Sequence, residues 1–465
     1  MNAPDPRRTR TARVALVAGS LLLAACVGLA PIAAAGPTGA PAPASVAPIA
    51  AASPAATQLP LPGADARIII DQATAAVRTN ANDTQALLTL GLAWYQHARE
   101  TADPSDYGRA DEAFDRLLAL KPGDTEALVG KATIALARHQ FADALRLGQT
   151  AQAQAPGLAR VWGVIGDALV ELGRYDESAV AVQTMVDLRP DLSSYSRVAY
   201  QRELRGRLDS AITAMESAVL AGGPNTENTE YVRVLLGNLW FLAGDLGKAE
   251  ASYSASLARS PGYVYALAGL ARVSGAMGDL DTAIEQYQQA TDRVPFPDLL
   301  IALGEAQEAD GRTTESAATY QFVRDIDALF TANGVNTDLD IALFEADHGD
   351  VAVALTRAQA AFDEAPTVRA ADALGWALYR NGNIDAARPV AEQALRLGSL
   401  EPAYLFHAGM IAAAQGDVPA AREWLTASLA RNPGWSPLRS PIAQQTLAGL
   451  PALDGLPAAS PEATR

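Results

Sequence analysis

The chain has 465 residues, of which 49% are hydrophobic, 19% charged and 6% aromatic, and its formal net charge is −16. This length is too great for one ordinary core, and the apolar content excludes a wholly disordered chain. The acidic balance excludes a general nucleic-acid binder, because phosphate binding needs a basic surface. Residues 1–35 carry a net charge of +3, which leaves −19 on the remainder.

Residues 1–35 have the pattern of an export signal, with four arginines ahead of an apolar run that begins at Val14. Three fates of this segment stay open. Cys26 follows Leu-Ala-Ala, which resembles the lipobox of bacterial lipoproteins and predicts lipidation of this cysteine. Ala35 ends a small-residue triplet that fits ordinary cleavage, and an uncleaved segment of 22 residues from Val14 could instead span a bilayer.

These interpretations predict an exported bacterial protein, either extracellular or in the cell envelope. It would touch a membrane only through its N-terminal segment. Residues 36–65 are rich in alanine and proline, which predicts a linker. Cys26 is the only cysteine, so the body of the protein has no disulfide and no thiol nucleophile.

A period of 34 residues runs through the rest of the chain. Pro122, Pro156, Pro190 and Pro224 are spaced by this interval. A second series consists of glycines, each followed five residues later by a small residue: Gly173, Gly206, Gly244, Gly278, Gly311, Gly349, Gly382 and Gly416. Glycine can close one helix, a small residue lets the next helix approach, and proline ends it. Each unit is therefore predicted as helix, turn, helix and loop.

One complete unit lies between Val161 and Pro190, with Trp162, Gly166 and Ser178 at the marked positions. This pattern resembles the tetratricopeptide repeat family, whose period is 34 residues. The resemblance covers about residues 84–433 and predicts ten units, which begin near Thr84, Thr125, Ala159, Leu192, Glu230, Val264, Pro297, Val335, Val368 and Pro402. It implies an all-α solenoid, a right-handed superhelix. We assign residues 66–433 to the repeat array and 434–465 to a capping helix and disordered tail.

In this family the first helix of each pair lines a concave groove, which is the usual ligand surface. The family's groove positions predict a set that mixes charges with exposed aromatic rings: Arg160, Asp167, Tyr200, Tyr231, Asn238, Phe241, Tyr265, Arg272, Trp376 and Tyr379. Rings give contact area and charges give register, so the predicted partner is a protein or peptide. A basic patch on that partner would be steered toward the acidic chain, although the acidity equally suits solubility alone. Some rings could instead pack against neighbouring repeats.

Motifs for catalysis or cofactors are absent from the sequence. The four histidines fall in different repeats without zinc-ligand spacing, and there is neither a nucleophile elbow nor a phosphate-binding loop. We therefore expect no enzyme, no metal and no cofactor. The predicted function is a non-catalytic scaffold for protein–protein interaction. The alternatives are a glycan- or cell-wall-binding module, whose groove rings would stack on sugars, and an accessory factor of an envelope assembly or secretion complex.

Overall fold

The computed structural model describes residues 66–223 and 227–451. The predicted export signal with Cys26, the linker and most of the tail lie outside the described residues. Within them, all regular structure is helical, which confirms the predicted all-α solenoid. In this part of the chain no helix has the length and apolar character needed to cross a membrane.

The described residues form 22 helices. In chain order they are α1 (Ala66–Thr79), α2 (Thr84–Thr101), α3 (Ser105–Leu120), α4 (Thr125–Ala137), α5 (Phe141–Gln154), α6 (Ala159–Glu171), α7 (Tyr175–Leu188), α8 (Leu192–Glu203), α9 (Leu208–Ala221), α10 (Glu227–Ala243), α11 (Leu246–Arg259), α12 (Val264–Ala276), α13 (Leu280–Thr291), α14 (Pro297–Ala309), α15 (Thr313–Ala332), α16 (Asp338–His348), α17 (Val351–Glu364), α18 (Val368–Arg380), α19 (Ile384–Ala394), α20 (Pro402–Ala414), α21 (Val418–Leu429) and α22 (Arg439–Gly449).

Helices α2 to α21 form consecutive pairs, each helix packing against the next in the chain. The first helix of a pair begins at the residue that the repeat pattern predicts in all but two units. Helix α10 begins three residues before the predicted Glu230, and α16 begins three residues after the predicted Val335. Both follow a segment longer than the usual loop. In the second case the extra residues lengthen α15 to 20 residues.

The turn within each pair uses the left-handed backbone conformation. Positive φ angles occur at seven glycines of the predicted series: Gly173, Gly206, Gly244, Gly278, Gly311, Gly382 and Gly416. His139 stands at the equivalent position of the second unit and adopts φ 58° despite its side chain. Gly349 is the exception to the prediction, with φ −153°. Its turn is held differently, because the carboxylate of Glu345 accepts the backbone N–H of Asp350 at 2.8 Å.

Glycines inside the first helices make room for rings from the second helices. Tyr253 of α11 is fully buried and lies between Gly237 of its own pair and Gly269 of the next. A Cβ atom at Gly269 would approach the Tyr253 ring to 2.5 Å. Normal carbon contacts are about 3.5–4.0 Å, so only glycine permits this distance between helices.

The array is coiled so far that its second half packs on its first half. The backbone N–H of Val368 donates to the hydroxyl of Tyr175 at 2.8 Å, across 193 residues. The ring Nδ1 of His139 donates to the carbonyl oxygen of Asn336 at 2.6 Å, across 197 residues. At a repeat of about 34 residues, roughly six units make one superhelical turn. The turns within early pairs therefore contact the loops between late pairs.

After α21 the chain leaves the repeat pattern. Residues 430–438 are irregular, and the side-chain amide of Asn432 donates to the carbonyl oxygen of Phe241 at 3.4 Å. Helix α22 then packs on α20 and α21, with Ala443 fully buried. Helix α22 thus covers the open end of the array, while the segment before it reaches back to the first superhelical turn.

Candidate functional site in the superhelix interior

Half of the predicted groove residues meet in one cavity of about 180 Å³. They are Tyr200, Tyr231, Asn238, Phe241 and Arg272, and they come from the first helices α8, α10 and α12. The family's groove positions, read from the sequence, therefore brought together residues that are neighbours in space.

The opposite wall of this cavity comes from the second superhelical turn. Glu401 and Pro402 at the start of α20, and Asn432 and Trp435 from the irregular segment, line it. The predicted open groove is thus enclosed at this place. None of these four residues was predicted, because they become neighbours of the groove only when the array has completed one turn.

Arg272 is held firmly in the cavity wall. Its Nη2 donates to the amide oxygen of Asn238 at 2.8 Å and to the hydroxyl oxygen of Tyr253 at 3.2 Å. The Tyr253 hydroxyl in turn donates to the same amide oxygen at 2.8 Å. The guanidinium lies 4.3 Å from the centre of the Phe241 ring, a favourable cation–π distance. Its charge is therefore stabilised by an amide, a hydroxyl and a ring face.

Two carboxyl groups of the same cavity have no such partners. Glu203 and Glu401 make no ion pair within the described part of the chain. Burial raises the pKa of Glu203 to about 8, and the nearby Glu401 adds to the shift. Burial also raises the pKa of Glu401. The cavity consequently contains more carboxyl groups than its one guanidinium can balance.

Three of the remaining predicted residues are engaged within the array. The guanidinium of Arg197 donates twice to the buried carboxylate of Asp167, at 2.8 and 2.6 Å. Arg160 pairs with Glu126 of the preceding unit. Tyr265 lies in an aromatic cluster with ring centres 5.2–5.6 Å away: Tyr231, Tyr263 and Phe296. These contacts join consecutive repeats and leave the roles of these residues in partner binding as predictions.

Trp376 and Tyr379 lie farther along the interior. The Trp376 ring stacks on His407 at 4.2 Å and on Tyr379 at 5.0 Å, and its Nε1 donates to Asp347 at 2.8 Å. Only 4% of Trp376 is exposed, and Tyr231 and Phe241 are similarly buried. The expectation of exposed rings is therefore wrong for these three side chains, because neighbouring repeats and the second superhelical turn cover them.

A second cluster surrounds Arg439, the first residue of α22. Its guanidinium donates to Glu305 of α14 at 2.9 Å and to Asp347 of α16. Burial acts to raise the pKa of both carboxyl groups, but Arg439 holds each below its usual range. His348 adds its Nε2 at 3.2 Å from Glu305. Glu305, Asp347 and His348 offer ligand atoms within 4.8 Å of one another, a spacing that suits a cation, and the cation bonded to two of them here is Arg439.

Sequence reasoning assigned the stretch with Arg439 and Trp435 only to the end of the array and its cap. Both side chains contact the interior: Trp435 packs edge-on against Phe406 with ring centres 6.1 Å apart. The available signal was an aromatic and a basic residue four positions apart in a segment without the repeat pattern. That signal says nothing about which acids the arginine meets.

A family model described as tetratricopeptide repeat matches residues 95–159, 131–193, 204–264, 269–327 and 373–434, which together cover more than half of the chain. No curated protein matches the chain. Among solved structures, the chain is similar to a thermophilic tetratricopeptide protein of Thermus thermophilus. That match has 22% identity and a TM-score of 0.35, and it covers 44% of this chain and 98% of that one.

Two further solved structures are similar over more of the chain. The Cut9–Hcn1 hetero-tetramer of APC/C matches with 13% identity and a TM-score of 0.37, covering 82% of this chain and 92% of that one. A human IFIT1 dimer with PPP-AAAA matches with 14% identity and a TM-score of 0.38, covering 78% of each chain.

Proposed function

The chain belongs to the tetratricopeptide repeat family, and on this premise we propose that it is an exported, non-catalytic scaffold that binds a partner protein in its superhelix interior. Repeats of this family generally mediate protein–protein interaction, and their fold is typically a non-catalytic scaffold. The finer points are the partner, the binding surface and the export of the protein, and each needs its own support and test.

One observation carries the binding surface. The interior already holds an irregular segment of the protein itself, with Trp435 against Phe406 and Arg439 between Glu305 and Asp347. A ring that supplies contact area and a guanidinium fixed by two carboxylates are what peptide recognition uses. We infer that the partner presents a basic and aromatic segment to these acids and displaces the protein's own arginine.

The alternative of a sugar-binding module receives less support from the geometry. Stacking on a sugar needs an accessible ring face, whereas Phe241 and Trp376 are 6% and 4% exposed. The alternative of an accessory factor in an envelope complex is a special case of the scaffold, and the identity of the partner decides it.

Crosslinking in live cells followed by mass spectrometry tests the scaffold. The variant Arg439→Ala should increase capture of the partner severalfold, because it leaves Glu305 and Asp347 without their internal cation. Arg431→Ala is the matched control, since Arg431 is an exposed arginine of the same segment. Unchanged or reduced capture by a correctly folded Arg439→Ala variant would contradict the proposed surface. Recovery of glycan fragments without protein would overturn the scaffold itself.

Membrane tethering is tested separately from partner binding. Metabolic lipid labelling of the full chain should depend on Cys26, and Cys26→Ser should abolish it if the export signal is processed at the lipobox. Labelling that persists in the variant refutes tethering through this residue. Labelling that is absent from both proteins supports the secreted or uncleaved form.

A further inference from the structure

The cavity between the two superhelical turns has the size of a small-ligand site. Its volume is about 180 Å³, and an apolar cavity of about 150 Å³ is enough to hold benzene. Its lining is mixed in chemistry, with rings, carboxyl groups, an amide and a guanidinium. Such a mixture of apolar walls and a few polar groups is typical of ligand pockets.

The rings of this cavity suit a positively charged ligand. Tyr200, Tyr231, Phe241 and Trp435 all line its walls. Aromatic faces attract cations within about 6 Å of their centres, most strongly where water is excluded. The cavity already shows this preference, because Arg272 lies over the Phe241 ring.

The charges point the same way. Glu203 and Glu401 have no ion pair among the described residues, while Arg272 is satisfied by Asn238, Tyr253 and a ring. Burying carboxylates without a cation is costly. The cavity therefore lacks one positive charge near its two carboxyl groups, and it lacks no negative charge near its guanidinium.

We propose that this cavity binds a small free amine, whose ammonium group is neutralised by Glu203 and Glu401 and whose carbon chain packs against the rings. The inference does not depend on the partner-binding surface, because the acids around Arg439 belong to a separate cluster. The same ammonium chemistry occurs in a lysine side chain of a partner. The second superhelical turn encloses the cavity, which favours the free amine, because a partner chain would have to thread past this wall.

Binding to the full chain can be measured by saturation-transfer NMR and by the fluorescence of Trp435 in the cavity wall. The probes are n-butylamine, n-butanol and butyrate, which have similar size but carry positive, zero and negative charge. Butylamine is expected to bind at least tenfold more tightly than either of the others. Equal binding of butanol, or tighter binding of butyrate, overturns the proposal without any variant. Capped lysine methylamide that binds more tightly than butylamine would assign the ammonium to a partner and refute the free amine.

Variants locate the site. Glu203→Gln and Glu401→Gln should each weaken butylamine binding about tenfold, whereas Glu216→Gln, at an exposed glutamate of α9, should not. Raising the pH through about 8 should strengthen butylamine binding to the natural chain, because Glu203 then loses its proton. The other titratable groups that line the cavity are Glu401, Arg272, Tyr200 and Tyr231. Affinity that is independent of pH, together with unchanged affinity of both cavity variants, would place the amine elsewhere and refute the site.

Discussion

The glycine slots of the array lead to opposite predictions for one substitution at two places in the same helix. Gly269→Ala and Gly275→Ala both add a methyl group to α12. At Gly269 the new Cβ would lie 2.5 Å from the Tyr253 ring, and at Gly275 the nearest atom would be the Cβ of Ala283 at 3.8 Å. Tyr253 has no exposed surface, and Gly237 presses on its other side. The ring cannot retreat without moving the neighbouring pair of helices.

The magnitude follows from three contributions. Replacing glycine by alanine inside a helix favours folding by about 1 kcal/mol, and this should be nearly the whole effect at Gly275. Overpacking a dense core costs about 1–3 kcal/mol. A displaced Tyr253 ring also weakens its hydrogen bonds to Asn238 and Arg272, at about 1 kcal/mol each. We expect Gly269→Ala to destabilise the protein by about 2 kcal/mol and Gly275→Ala to stabilise it by up to about 1 kcal/mol.

Urea unfolding followed by circular dichroism measures both changes. Because repeat arrays need not unfold in one step, hydrogen exchange of α12 provides a local measurement. Adding Tyr253→Leu to Gly269→Ala should cost less than the sum of the two single changes, since the smaller side chain vacates the slot. Equal stability of the Gly269→Ala and Gly275→Ala variants would refute the packing argument.

Three further predictions test the interior. Burial raises the pKa of Glu203 to about 8, above about 4.3 for an unfolded glutamate, so the folded protein holds this proton more tightly and loses stability as the pH rises between these values. Glu203→Gln should therefore raise the thermal midpoint at about pH 9 and flatten its fall from about pH 5, and an unchanged pH profile would contradict the assigned burial. Asp167→Ala leaves the buried guanidinium of Arg197 unpaired and should cost about 3–5 kcal/mol in urea unfolding; a loss below about 1 kcal/mol would show that water or another group replaces the carboxylate. Tyr175→Phe removes the acceptor of the Val368 N–H and should cost about 1–3 kcal/mol, seen as faster exchange at the start of α18, and unaltered exchange there would disprove the contact between the superhelical turns.

The sequence by itself determined the repeat unit and its boundaries. Helix starts such as Ala159 and Val264 coincide with the structure because each unit folds on contacts within itself and with the next unit, and the same residue types recur at each period. Even the odd histidine was informative: His139 takes the left-handed conformation because its turn must match the others. Gly349 departs from that rule because a local side chain, Glu345, holds its turn instead.

The chemistry of the interior was decided only by the tertiary structure. Small rotations between successive repeats accumulate along the array, and their sum places Glu401 in the same cavity as Glu203. The same accumulation brings Arg439 to Glu305, across 134 residues. No local pattern records that sum, so the groove positions could be predicted from the repeat, but neither their burial nor their distant partners could.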